Sequence, residues 1–221
     1  VSLSTSEEGV EMTKSYIALS TAASILVSAL TGIELDYAKI VESMANCATR
    51  IIGDGGLLGL ARDIAHGWVK DGLSRFTILG YAHSYPTALE ASLKFTETSY
   101  VPAVALGALE FRHGPVATVG ERQVIILMGQ PTGFMKHIVK LAEDLKALSK
   151  GSETRLLVVT SDDELASASE SAIKIPCSSG YGEWDPLILL ILIYLLAYHY
   201  AVGRGIDVDR PRNLTRVVKE F

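Results

Sequence analysis

The sequence predicts an α/β fold, a doubly wound parallel sheet in three αβα layers, with a helical lead-in before it. Three observations carry this. Short apolar runs rich in β-formers recur at 75–79, 123–128, 155–160 and 172–175. Helical patterns separate the later ones, and strands joined through helices of this size pair in parallel with right-handed crossovers. Phe134, Ile138, Leu141, Leu145 and Leu148 repeat at spacings of 4, 3, 4 and 3, the period of an amphipathic helix. Residues 1–72, ahead of the first clear strand, read as helices.

In chain order, residues 1–8 are polar. Val10 to Leu30 predicts a first helix, with Ile17, Ile25, Val27 and Leu30 set among small residues and Gly32 as the stop. Asp36 caps a second helix running to about Ile52. The glycines of 53–56 break it, and a third helix spans 57–70 before Asp71 and Gly72. Residues 75–79 form a buried strand ended by Gly80. A loop over 81–85 follows, and Pro86 takes the first turn of the next helix. Then come a strand at 123–128, a turn at 129–133, the amphipathic helix, a strand at 155–160, a short helix at 164–171 and a last strand at 172–175. Ligands of such sheets bind beyond the carboxyl ends of the strands. That rule places the 80–84 loop, the helix carrying Glu97 and the 129–133 turn at one rim.

The most apolar run begins at Pro186 and ends near Tyr198. It is shorter than the ~20 residues that cross a bilayer, and Tyr194, Tyr198, His199 and Tyr200 stud its second half. It therefore reads as a helix buried in a sheet face or subunit interface, and no membrane partner is expected. His199 reads as a core or interface histidine. Residues 203–216 are polar, Pro-broken and expected to form no element of their own.

Composition narrows the function classes. The chain has 221 residues, is 48% hydrophobic and carries a net charge of −5. It has no basic stripe to neutralise phosphates, which argues against nucleic acid. Cys47 and Cys177 are too few and too far apart to imply a metal site or a disulfide framework, which favours a reducing cytoplasm. No signal-peptide pattern is seen, and the chain opens at Val1 as though cut from something longer. There is no GxGxxG after a strand, no P-loop, no HExxH and no CxxC, so no cofactor and no metal are expected. Ser178, Ser179 and Gly180 could bind an anion but read better as a loop. Of His66, His83 and His137, only His83 falls at the expected rim.

Residues 75–119 hold most of the chemistry. On the helix after Pro86, Glu90, Lys94 and Glu97 fall at i, i+4 and i+7 and share one face. The next polar cluster is Glu110-Phe111-Arg112-His113-Gly114-Pro115, at a turn between apolar segments. Two carboxylates, a lysine and a histidine are parts for proton transfer, although such a charged helix face is commonly just solvated.

Gly80, the run Tyr85-Pro86, Ala88-Leu89-Glu90, Leu93-Lys94, Glu97 and Ser99-Tyr100, and the Glu110 to Pro115 motif together resemble the second SIS (sugar isomerase) domain of the phosphosugar isomerase family, a Rossmann-like fold. The Pro211-Arg212-Asn213-Leu214 signature is similar to the C-terminal tail of that family's aminotransferase members. The resemblance implies a phosphosugar isomerase or deaminase acting on a hexose or amino-hexose 6-phosphate. The conversion would be of the glucosamine 6-phosphate to fructose 6-phosphate type, by proton shuttling between C1 and C2. It equally admits the isomerase half of a glucosamine-6-phosphate synthase, or a regulatory module that binds sugar phosphate without catalysis.

The same resemblance implies roles for particular residues. Glu97 would be the shuttle, its pKa raised by an apolar neighbourhood, and His113 would open the sugar ring from across a homodimer interface. Glu90, Lys94, Val10, Thr215 and Arg216 would bind substrate. Residues 1–72 would be the end of a preceding SIS domain plus linking helices, 73–203 the SIS domain, and 204–221 a tail closing the sugar site. Two departures stand out. The family's Ser/Thr phosphate loop has no match here, so the phosphate subsite is expected on residues beyond this chain. Arg216 stands where the aminotransferases carry a Schiff-base lysine, and a guanidinium cannot form that imine.

Overall fold

The structure, a computed structural model, describes residues 6–131 and 133–215. Five strands form one parallel sheet in the order β2-β1-β3-β4-β5: β1 (Phe76–Gly80), β2 (Ala103–Gly107), β3 (Gln123–Gly129), β4 (Thr154–Thr160) and β5 (Ala172–Lys174). The chain winds outward from β1 to β2, then crosses back to β3 and outward again to β5. This is the doubly wound α/β architecture read from the sequence.

Alternation along the strands sorts the core into two layers. Phe76, Ile78, Val124, Ile126, Leu157 and Val159 face one side, under α3 (Gly55–Lys70), α4 (Ser84–Ser99) and α7 (Asp185–Gly203). Leu79, Ile125, Leu127 and Val158 face the other, under α5 (Met135–Ser149) and the short α6 (Asp163–Ser167). The first layer is knitted by aromatic rings. Phe76 stacks on Phe95 at 4.4 Å between centroids, while Trp68 and Tyr200 meet Phe76 edge-on at 5.6 Å and 5.0 Å. The Tyr200 hydroxyl donates to the Leu73 carbonyl at 2.5 Å, so the polar tip of this buried ring is satisfied.

Several boundaries differ from the sequence reading. The first helix, α1 (Lys14–Thr31), starts four residues later than expected. The Glu7 carboxylate accepts from the backbone N–H of Thr13 and Ser15 at 3.0 Å and 2.8 Å, and so holds the preceding segment in turns. The helix α2 (Tyr37–Gly53) keeps its Asp36 cap, but only Asp54 separates it from α3. The Asp54 side chain accepts from Leu57 N–H, so Gly55 and Gly56 join the helix rather than break it. α6 is one turn instead of two. The edge strand β2 was not anticipated at all. Its Ala, Val and Gly residues are half-exposed and carry little β signal.

The cysteines require a correction. Cys47 in α2 and Cys177 just past β5 form a disulfide across 130 residues of chain, their Cα atoms 5.7 Å apart. Separation in sequence set no bound on separation in space, because α2 returns against the segment that leaves the sheet. The cysteines therefore give no argument for a reducing compartment. α7 also exceeds the run that suggested it, at 19 residues. It and α1 are each long and apolar enough to cross a bilayer by length and composition. In this fold α7 is largely buried against the sheet, whereas α1 leaves Leu19, Leu26 and Leu30 exposed.

Gly80 marks the tightest backbone approach in the fold. A Cβ there would stand 2.4 Å from the Ser84 carbonyl oxygen and 2.7 Å from the Tyr85 Cα, both backbone atoms that cannot rotate away. Gly80→Ala should destabilise the protein by about 1–3 kcal/mol or more, as overpacking does. Urea unfolding followed by circular dichroism measures this, and an unchanged midpoint would contradict the packing of α4 on β1.

Candidate functional site

Glu90, Lys94 and Glu97 form a buried charged row on α4. The Lys94 ammonium lies 2.6 Å from Glu97 Oε2 and 3.5 Å from Glu90 Oε1. The side chains of Lys94 and Glu90 are only 4% and 6% exposed, so the solvated-face reading fails. Glu97 retains partial access at 20%. From α7, the Tyr194 hydroxyl donates to Glu90 Oε1 at 3.1 Å. Burial pushes the Glu90 carboxyl above its usual range, against the opposing pull of Lys94 and of the Tyr194 hydrogen bond. Burial also raises the Tyr194 phenol, helped by the Glu90 charge.

Beside this row opens a cavity of about 540 Å³. Its walls are Ile17 of α1, Leu58 of α3, Ile191 and Leu195 of α7, and Val208 of the tail, with Lys94, Thr98 and Glu11 reaching in. The tail is pinned where it crosses the end of α4. Arg204 Nη1 donates to the Ser99 carbonyl at 2.7 Å, the Tyr100 hydroxyl accepts from Arg212 N–H at 2.9 Å, and the Arg212 guanidinium covers the Tyr100 ring at 4.2 Å. Tyr100 itself takes a left-handed backbone, φ 56°, which ends α4 and turns the chain toward β2.

The expectation of one common rim does not hold. α4 leaves the carboxyl end of β1 at Ser84 and runs antiparallel to the strands, so Glu97 lies about 20 Å further back along the helix at 1.5 Å per residue. It sits toward the amino ends, where Phe76 N–H pairs with the Pro102 carbonyl. The 80–84 loop, with His83, stays at the carboxyl ends. His113 stays there too, exposed, at the end of a 3-10 turn (Glu110–Arg112) after β2. Within one chain, then, Glu97 and His113 are not brought together. Val10 lies in a bend beside Glu11, half-buried, and Thr215 is exposed at the end of the described tail. Arg216 falls outside the described residues.

Two site residues were missed by sequence reasoning. Tyr194 stood out only as a polar stud in an apolar run, although a buried phenol needs a partner and should have prompted a search for one. Glu11 has no sequence signal, since it lies outside any helix and is placed by the Glu7-held turn. The loop residues Ser178 and Ser179, weighed above as an anion site, instead bind the buried Asp185 carboxylate at the start of α7. Among the described residues no cluster of three or more His, Cys, Asp or Glu is arranged to hold a metal ion.

Burial raises Glu11 from 4.5 to about 7, with the Glu97 charge adding to the rise, Lys94 opposing it and Asp209 adding again. The folded protein thus binds this proton more tightly than the unfolded chain does. The resulting stability is fully present below pH 4.5 and is lost as pH rises through about 7. The urea midpoint of the wild type should therefore fall across that window relative to Glu11→Gln. Parallel profiles for the two proteins would overturn this account.

A glutamine–fructose-6-phosphate aminotransferase [isomerizing] of Mycobacterium leprae is 30% identical over 96% of this chain, which spans 34% of that relative's length. Among solved structures, the C-terminal domain of glucosamine-fructose-6-phosphate aminotransferase from Francisella tularensis superposes with a TM-score of 0.76 at 24% identity, covering 93% of this chain and 58% of that one. Glucosamine-6-phosphate deaminase from Thermotoga maritima gives a TM-score of 0.69 at 22% identity, with 97% and 59% covered. These two establish the shared fold. The SIS domain model matches residues 74–200, more than half of the chain. This chain belongs to the SIS domain family.

Proposed function

We propose that the chain supplies the proton-transfer half of a phosphosugar isomerase or amino-sugar-phosphate deaminase, acting on a hexose or amino-hexose 6-phosphate of the glucosamine 6-phosphate to fructose 6-phosphate type. The observation that carries this is the Lys94–Glu97 pair, 2.6 Å apart, with Glu97 20% exposed and Lys94 in the wall of the cavity. Burying a lysine costs several kcal/mol unless its partners are well placed, an expense that a merely solvated face would not require. It also speaks against a module that only binds.

In this reading Glu97 takes a proton from one carbon of the open sugar and returns it to the neighbour, holding it in between. Lys94, 2.6 Å from Glu97, positions that carboxylate and lends positive charge to the enediol oxygens as they gain electron density. Glu90, braced by Tyr194, fixes Lys94 from the other side and helps hold the substrate hydroxyls. Val10, Thr215 and Arg216 complete the substrate contacts. The reading divides the chain into a lead-in over 1–72, the SIS domain over 73–203, and a tail over 204–221 that closes the site, in keeping with Val208 in the cavity wall.

Ring opening needs a second proton-transfer group, and His113 lies at the carboxyl ends of the strands, opposite to Glu97 at the amino ends. In this proposal His113 serves the site of a second copy, and the enzyme is a homodimer. The alternative name for the whole assembly, the isomerase half of a glucosamine-6-phosphate synthase, draws on the aminotransferase relative and requires the same Glu97 chemistry.

Glu97→Gln should leave circular dichroism unchanged and lower turnover of glucosamine 6-phosphate or fructose 6-phosphate by roughly 10²–10⁴-fold. Retention of more than about a tenth of the wild-type rate would exclude Glu97 as the shuttle on that scale. Mixing inactive Glu97→Gln with inactive His113→Ala should then restore about a quarter of wild-type activity, from one intact site in half of the dimers of a symmetric pair. No recovery on mixing would place His113 outside the catalytic site.

A further inference from the structure

Glu11 is the charged group that the mechanism leaves unused. Its Oε1 is buried and has no hydrogen-bond partner among the described residues, yet its side chain lines the same cavity as Lys94. The cations nearby are already engaged. Lys94 lies between Glu90 and Glu97, and Lys14, also on the cavity wall, turns its ammonium to the Ser6 carbonyl. The remaining neighbours are Glu97 on α4 and Asp209 in the tail, which are both acidic. The rest of the wall is mostly aliphatic, with Ile17, Leu58, Ile191 and Leu195, and its polar atoms are the hydroxyls of Thr13, Thr98, Tyr194 and Tyr198.

An orphaned carboxyl in an apolar cavity is costly, because each buried polar atom without a partner loses its hydration with no return. A ligand can supply the missing partner in two ways. A hydroxyl would give a hydrogen bond but leave the negative charge uncompensated. An ammonium would give the bond and neutralise the charge together, which is the stronger arrangement where water is scarce.

We propose that Glu11 recognises a cationic amine on the substrate, so that this site selects an amino-hexose phosphate over the hydroxyl sugar of the same shape. The inference rests on the reading above that the cavity receives a sugar phosphate. A carboxyl poised at about pH 7 suits the task. It ionises against an ammonium and keeps its proton to donate when a neutral oxygen occupies the same place.

Calorimetric titration of the full-length protein, with the residues expected to hold the phosphate, as wild type, Glu11→Gln and Glu11→Asp with glucosamine 6-phosphate and glucose 6-phosphate tests this, since the two ligands differ only in amine against hydroxyl at C2. Glu11→Gln should weaken glucosamine 6-phosphate by tenfold or more and glucose 6-phosphate by less than twofold, while Glu11→Asp keeps the preference for the amine. Equal weakening of both sugars, or of neither, overturns the role of Glu11 and leaves the sugar-phosphate reading in place. A wild type that binds neither sugar overturns that reading, and the role of Glu11 with it. Should Glu11→Gln fail to fold by circular dichroism, Glu11→Ser decides by the same ratio.

Discussion

An ammonium held between two carboxylates in a nearly dry setting needs everything around it to stay in register. Lys94 is 3% exposed, and Glu90 and Glu97 flank its ammonium on the same helix face. Glu90 in turn is braced from α7 by Tyr194, 104 residues away in sequence. Removing one member of such a set leaves an uncompensated buried charge, which typically costs 3–5 kcal/mol. The docking of α7 on α4, the crossing of the tail at Tyr100 and the turn that delivers Glu11 all converge on this row. Placement of the charges and stability of the layer are one problem with one solution.

The cavity beside the row is strongly asymmetric. Its charged groups are Glu11, Lys14 and Lys94 and most of the rest is apolar, with walls contributed by α1, α2, α3, α4, α7 and the tail. Low polarizability strengthens every charge interaction there, and it accounts for the raised carboxyls of Glu90 and Glu11. Strand order explains why α4 can serve two ends of the molecule. It starts at the rim where β1 finishes and ends where β2 must begin, so it carries chemistry from the carboxyl ends of the strands to their amino ends.

Much of this was legible in the sequence, for physical reasons that also explain the failures. Strands β1, β3 and β4 are buried on both faces and write themselves as unbroken apolar runs, and α5 has one wet face and so shows its period. The charged row was legible because helix spacing alone puts Glu90, Lys94 and Glu97 together. β2 was not, since an edge strand of Ala103, Val104 and Gly107 buries too little to be patterned. The position of Glu97 was misjudged because the ligand rule for open sheets speaks of strand ends, while this residue sits late on a returning helix. The Cys47–Cys177 bond, the Tyr194 bracing and the placement of Glu11 depend on contacts between distant segments, which no local pattern encodes.

The circumferentially apolar α7 has a bearing on how the chain reaches this state. It covers β1 and β3 together with α3 and α4, and its residues Leu189, Leu192, Ile193 and Leu196 complete the layer that Phe76 and Ile78 begin. It is also the last element of the described fold to leave the ribosome, after all five strands. Until it arrives, one face of a nascent parallel sheet stands uncovered, and parallel pairing is itself slow because its contacts are distant in sequence. The layer is therefore completed only after all five strands exist, and exposed apolar strand faces of that kind are what make folding intermediates prone to aggregate.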